Sequence, residues 1–64
     1  MDLEYDVFER FPDGSVEWRG FVVGVDAAQA RLQVLAKQSK NELFAIHTPT
    51  KKIAARVNEK TGNN

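Results

Sequence analysis

A single uninterrupted helix-forming run, residues 25–38, divides this chain into two flanks that both alternate with a period of two. No glycine or proline interrupts the run, and alanine, glutamine and leucine make up most of it. Asp26 is expected to act as N-cap with Gln29 three residues later as its capping-box partner, and Val25 to staple onto Ala30. Together these are worth roughly 1 kcal/mol or more. Ala28, Leu32, Leu35 and Ala36 recur at i, i+4, i+7 and i+8, the stripe a core-facing helix needs. Ala27, Ala30 and Val34 form a second stripe, read as widening the buried face or as a small contact for a partner helix. Lys37 and Lys40 suit the negative pole of the helix dipole.

Before the helix, Leu3, Tyr5, Val7 and Phe11 share one parity and Glu4, Asp6 and Arg10 the other, with Phe8 the apolar exception, as in a half-buried strand. Pro12-Asp13-Gly14-Ser15 reads as a turn, with proline presetting its φ and glycine free to go left-handed. Taking those four residues as the loop pairs Phe11 with Val16, Glu9 with Trp18, Val7 with Gly20 and Tyr5 with Val22, and sets Arg10 opposite Glu17. A slip of one residue would place Glu9 against Glu17, which disfavours it. Gly20 marks a bulge or a close approach.

After the helix, residues 42–47 and 52–58 form a second hairpin around Thr48-Pro49-Thr50-Lys51. This loop pairs Ile46 with Ile53, Phe44 with Ala55 and Glu42 with Val57. The expected inner face is then Phe44, Ile46, Ile53, Ala55 and Val57. Its reverse carries Leu43, Ala45, His47, Lys52, Ala54 and Arg56.

The reading is an α+β domain of order ββαββ over residues 1–59, with residues 60–64 as a frayed tail. Sixty-four residues bury only about 60% of the unfolded chain's surface, which leaves little room for a cleft. The formal charge of zero hides an asymmetry. Residues 1–26 hold seven acidic side chains against Arg10 and Arg19, and residues 27–64 hold seven basic ones against Glu42 and Glu59. A four-stranded sheet of order 2-1-4-3, with the first and last strands parallel at its centre, would set Glu4, Asp6 and Arg10 beside Lys52 and Arg56 and neutralise the halves. An antiparallel order 2-1-3-4 is the alternative.

With Val25-Asp26-Ala27-Ala28 at the helix start and Thr50-Lys51 before the last strand, the chain resembles β-grasp domains, among them the immunoglobulin-binding domains of streptococcal protein G. The resemblance implies hairpin, helix and hairpin at similar lengths. It does not imply immunoglobulin binding, because the positions that family fills with polar helix residues and a tryptophan hold Leu32, Leu35 and Phe44. The ending Thr61-Gly62-Asn63-Asn64 also differs from the Gly-Gly of ubiquitin-like modifiers. Pro12-Asp13-Gly14-Ser15, the strand around Trp18 and Asn41-Glu42-Leu43-Phe44 are similar to those of small bacterial proteins of unknown function, which implies no activity.

Chemistry-bearing constellations are sparse. With no cysteine and one histidine, neither a thiolate zinc site nor a multi-histidine site is available, and no cofactor is expected. His47 as a general base would need an oriented nucleophile or carboxylate, and only Thr48 and Thr50 are near in sequence. Glu9 falls on the inner face, where an unpaired carboxylate is costly. The four glycines are scattered, so no phosphate-cradling loop is present and the chain is not expected to be an enzyme. Without a long apolar run or a leader-like N-terminus, a cytoplasmic protein that does not enter membranes is expected.

The outer sheet face is the candidate surface: Phe8, Phe21, Val23, Leu43, Ala45 and Ala54, fringed by Arg10, Arg19, Lys52 and Arg56. Such a face is normally polar, and aromatic groups beside arginines are what interfaces favour. The expectation is a non-enzymatic protein-interaction module that docks a partner or a second copy through this face. The alternative is a nucleic-acid-binding module, with Phe8 and Phe21 stacking on bases and the basic C-terminal half on phosphates. Covering of the rings by the charged side chains would leave the face idle.

Overall fold

The computed structural model describes residues 3–58, so the domain limit at residue 59 and the tail at residues 60–64 lie outside the described residues. Five elements follow one another: β1 (Glu4–Arg10), β2 (Val16–Val23), α1 (Val25–Ala36), β3 (Glu42–His47) and β4 (Lys52–Val57). The strands form one sheet in the order β2-β1-β3-β4, with every neighbouring pair antiparallel. The fold is therefore α+β with the helix on one side of an open sheet. The order with β1 and β4 parallel at the centre is not adopted, and the β-grasp resemblance is confined to the order of the elements.

The expected neutralisation of Glu4, Asp6 and Arg10 by Lys52 and Arg56 fails with it, because β4 lies at the far edge. Exposed ion pairs are worth roughly 0–1 kcal/mol each. Packing of β1 on β3 outweighs them: Val7 lies opposite Ala45, and Phe8 opposite Phe44 with the rings stacked at 5.6 Å.

Both hairpins carry one register shift. In the first, Gly14 N donates to Phe11 O at 2.9 Å and Phe11 N to Ser15 O at 2.8 Å, so the loop is three residues with Gly14 at φ 93°, not the four expected. Near the turn this slips the pairing by one and sets Arg10 opposite Val16, Phe8 opposite Trp18 and Glu9 opposite Glu17. An extra residue at Arg19 restores the expected pairs Val7 with Gly20 and Tyr5 with Val22. Gly20 provides the bulge at φ 130°. The juxtaposed carboxylates are tolerated because the bulged Arg19 reaches both, Nε to Glu9 at 3.5 Å and Nη1 to Glu17 at 3.3 Å. Arg10 accordingly pairs not with Glu17 but with Glu42 on β3, at 3.2 Å.

The second hairpin closes through the expected loop, Lys51 N donating to His47 O at 2.7 Å, and Ile46 faces Ile53 as expected. An extra residue at Ala54 then shifts the register, so that Phe44 meets Arg56 rather than Ala55, and Leu43 meets Val57.

The core consists of Tyr5, Val7, Val22, Leu43 and Ala45 from the sheet with Ala28 and Leu32 from the helix, flanked by Leu35, Ala36, Ala55 and Val57. The face of β3 is thus opposite to the one expected: Leu43 and Ala45 point at the helix, and Phe44 and Ile46 away from it. The stripe Ala28, Leu32, Leu35 and Ala36 packs as read. The second stripe does not widen it: Ala27, Ala30 and Val34 are exposed. The helix also starts without Asp26 as its cap. Gly24 is the N-cap, and no side chain caps the helix. Gly24 N is tied to Leu3 O at 2.7 Å and Gly24 O receives Ala28 N at 3.0 Å, so the helix opens directly off the β2 edge and Asp26 falls in its first turn.

Candidate interaction surface

Side chains on the sheet face away from the helix lie in four rows across the strands. The first holds Val23 and Glu4; the second Phe21, Asp6, Ile46 and Ile53; the third Trp18, Phe8, Phe44 and Arg56; the fourth Val16, Arg10 and Glu42. The middle rows are mostly apolar. Single-layer antiparallel sheets ordinarily turn polar groups to water, yet here Trp18 is 59% exposed, with Phe21 and Val23 at 46% and Ile53 at 44%.

The rows have different degrees of cover. Phe44 is 4% exposed, stacked on Phe8 and overlain by the Arg10 guanidinium at 5.1 Å. Arg10 is held over that ring by Glu42, which makes the fourth row a cap on the third. Asp6 is the carboxylate embedded in the second row, and both its oxygens are engaged: Trp18 Nε1 donates to Oδ1 at 3.1 Å and Thr48 Oγ1 to Oδ2 at 3.0 Å. Toward β2 and the start of β4 the apolar groups are left bare.

Of the positions named from sequence, Phe8, Arg10, Phe21, Val23 and Arg56 lie on this face. Leu43 and Ala45 do not, being fully buried beneath the helix. Arg19 sits at the bulge and is drawn to Glu9 on the helix side. Lys52 lies opposite His47, which also belongs to the helix side, and Ala54 is the exposed extra residue of the β4 bulge. Trp18, Val16, Phe44, Ile46 and Ile53 were missed. A three-residue reading of the turn, with glycine in its last position, would have put Trp18 beside Phe8. No comparable signal existed for β3, whose two faces are equally apolar.

The margin of the helix side holds the chain's polar centre. Glu9 is the one buried charged residue among those described, at 5% exposure. Ser39 Oγ donates to its Oε2 at 2.6 Å and Asn41 Nδ2 to the same oxygen at 2.7 Å. These two hydrogen bonds, assisted by Arg19 and opposed by desolvation, hold its carboxyl below the ordinary glutamate value. Asn58 Nδ2 donates to Ser39 O at 3.1 Å and Asn41 O at 3.2 Å, tying the end of β4 to the same segment. The segment between helix and β3 is thereby clasped from both sides. At the other margin His47 Nδ1 lies 2.8 Å from Thr50 Oγ1, with the ring tilted on Tyr5. Asp13 receives the Ser15 hydroxyl at 2.7 Å and the Ser15 amide at 2.9 Å, which lower its carboxyl and lock the turn.

Comparison with protein-family models, with curated proteins and with solved structures finds no match to this chain. Among the described residues, no helix is long and apolar enough to cross a membrane.

Proposed function

We propose that the chain is a small non-enzymatic protein-interaction module whose contact surface is the sheet face opposite the helix. The observation that carries this reading is the concentration of exposed large apolar side chains, Trp18, Phe21, Val23 and Ile53, on one face of a single-layer sheet. Tryptophan and arginine close together are the groups that dominate interface energies. The indole and the guanidinium of Arg10 are both pre-positioned, the first by Asp6 and the second by Glu42. Little side-chain entropy remains to be lost on binding.

The nucleic-acid reading has less support. Phe8 is occupied by Phe44, Arg19 by two carboxylates, and Glu4 and Asp6 share the face that phosphates would approach.

The test is site-specific photocrosslinking in producing cells, with a benzophenone amino acid at Phe21 and, separately, at Val34 on the exposed side of the helix. Discrete adducts from Phe21 and none from Val34 are expected. Adducts from Val34 alone, or no adduct from Phe21, would overturn the proposal.

A further inference from the structure

Resting on that reading, we infer that the occupant of the bare face is a second copy of this chain, stacked sheet to sheet about a two-fold axis that runs parallel to the strands between β1 and β3. Strand order places β1, its turn and β2 on one side of the sheet, with Glu4, Asp6, Glu9, Asp13 and Glu17 against Arg10 and Arg19. On the other side, β3, its loop and β4 carry Lys51, Lys52 and Arg56 against Glu42. The order that would have mixed these charges is not the one adopted, so each copy sets an acidic hairpin beside a basic one, with Glu4, Asp6, Arg10, Glu42 and Arg56 on the bare face and the other charges in the turns or on the helix side.

Two aligned isologous stackings bring the bare faces together. An axis across the strands sets each hairpin on its own copy, acidic on acidic and basic on basic. An axis along the strands sets each hairpin on its opposite, which electrostatic complementarity favours. The four rows agree with the second choice. Because that axis preserves the level along the strands and exchanges β1 with β3 and β2 with β4, every row meets its own reverse. In the second row Phe21 meets Ile53. In the third Trp18 meets Arg56, and Phe8 lies opposite Phe44 and the guanidinium of Arg10 that covers it. In the fourth Arg10 meets Glu42, so the intramolecular pair at 3.2 Å gains an intermolecular counterpart. Asp6 meets Ile46, which is tolerable because Trp18 and Thr48 already hold both of its oxygens.

Association through the sheet edges is disfavoured. Both edge strands are bulged, β2 at Arg19 and β4 at Ala54, and a bulge breaks the ladder that an added strand would extend. A face-to-face pair closes on itself and covers the exposed rings of both copies, and the twist of each sheet sets the usual angle of about 30° between them.

The chain has no cysteine, so introduced thiols report unambiguously. Variants Phe21→Cys, Ile53→Cys and Trp18→Cys are prepared singly, mixed in pairs and treated with a short bismaleimide, beside light-scattering masses of the unmodified chain across concentration. A dimer is expected, with covalent dimer forming at least fivefold faster in the mixture of Phe21→Cys with Ile53→Cys than in either alone. A dimer cross-linked instead by Trp18→Cys with Phe21→Cys would overturn the axis and leave the outer face as the contact. A dimer cross-linked by none of these would overturn both the axis and the face. Monomer at every concentration would overturn the second copy while leaving docking to a different protein, which the photocrosslinking tests separately.

Discussion

The two faces of this sheet are made by the same strands and differ by alternation alone, yet they are finished in opposite ways. Toward the helix, Tyr5, Val7, Leu43 and Ala45 are almost wholly shielded, and Glu9, the one buried charged group among the described residues, is fully partnered. On the reverse, Phe44 is shielded by its own neighbours while Trp18, Phe21 and Ile53 are left to solvent. Leu43 and Phe44 are adjacent in the chain, and each is buried by a different device, one by the helix and the other by a stacked ring and an arginine. The contrast separates side chains that hold the fold from side chains available to a partner, and substitutions on the two faces should therefore fail in different assays.

The largest effect is expected at the centre of the helix-facing side. Leu32 is 1% exposed and sits among all the core groups of the sheet. Leu32→Ala should cost about 2–5 kcal/mol, the transfer term plus the cavity left behind. Native domains have only roughly 5–15 kcal/mol in all, so urea titration should show the midpoint collapse.

Glu9→Gln should come next, at about 1–3 kcal/mol, because the amide cannot accept from Ser39, Asn41 and Arg19 together. Its pH dependence has a definite sign. The folded carboxyl lies below its unfolded value, so its contribution is fully present above the unfolded value of about 4.3 and is lost as pH falls through the folded one. Unfolding measured from pH 7 downward should therefore bring the original chain and Glu9→Gln toward each other in acid. Parallel curves would show that the clasp around Glu9 contributes nothing through its charge.

Much of the helix-facing side was legible because its signals are local. The stripe Ala28, Leu32, Leu35 and Ala36 needs only a 3.6 period, whereas Val7 with Gly20 and Tyr5 with Val22 come out as expected because the extra residue at Arg19 offsets a loop one residue shorter than expected. What escaped depends on discrete choices between near-equal alternatives. Pro12-Asp13-Gly14-Ser15 accommodates a three- or a four-residue loop, and the first slides Trp18 to the other face. Leu43 and Ala45 compete with Phe44 and Ile46, a contest that alternation cannot decide. Charge matching suggested the wrong strand order because exposed ion pairs are too small to choose between sheets. The candidate surface inherited these ambiguities: its existence was visible in Phe8 and Phe21, but its largest exposed ring, Trp18, was assigned to the core side.

That ring gives the smallest expected effect on stability and the sharpest test of the contrast between faces. Trp18 is 59% exposed, and its hydrogen bond to Asp6 is backed by the second donor, Thr48, so its removal does not strand the carboxylate. Trp18→Ser should lower stability by about 0.5–1.5 kcal/mol, the net value of one hydrogen bond, well below the cost of Leu32→Ala. Dissociation of any complex formed through this face should accelerate by far more than that loss implies, because indoles at interface centres carry a disproportionate share of binding energy. Chemical denaturation and cross-linking yield measured on the same samples separate the two effects. A stability loss as large as that of Leu32→Ala would mean that the bare face holds the fold as firmly as the covered one, and the division between them would disappear.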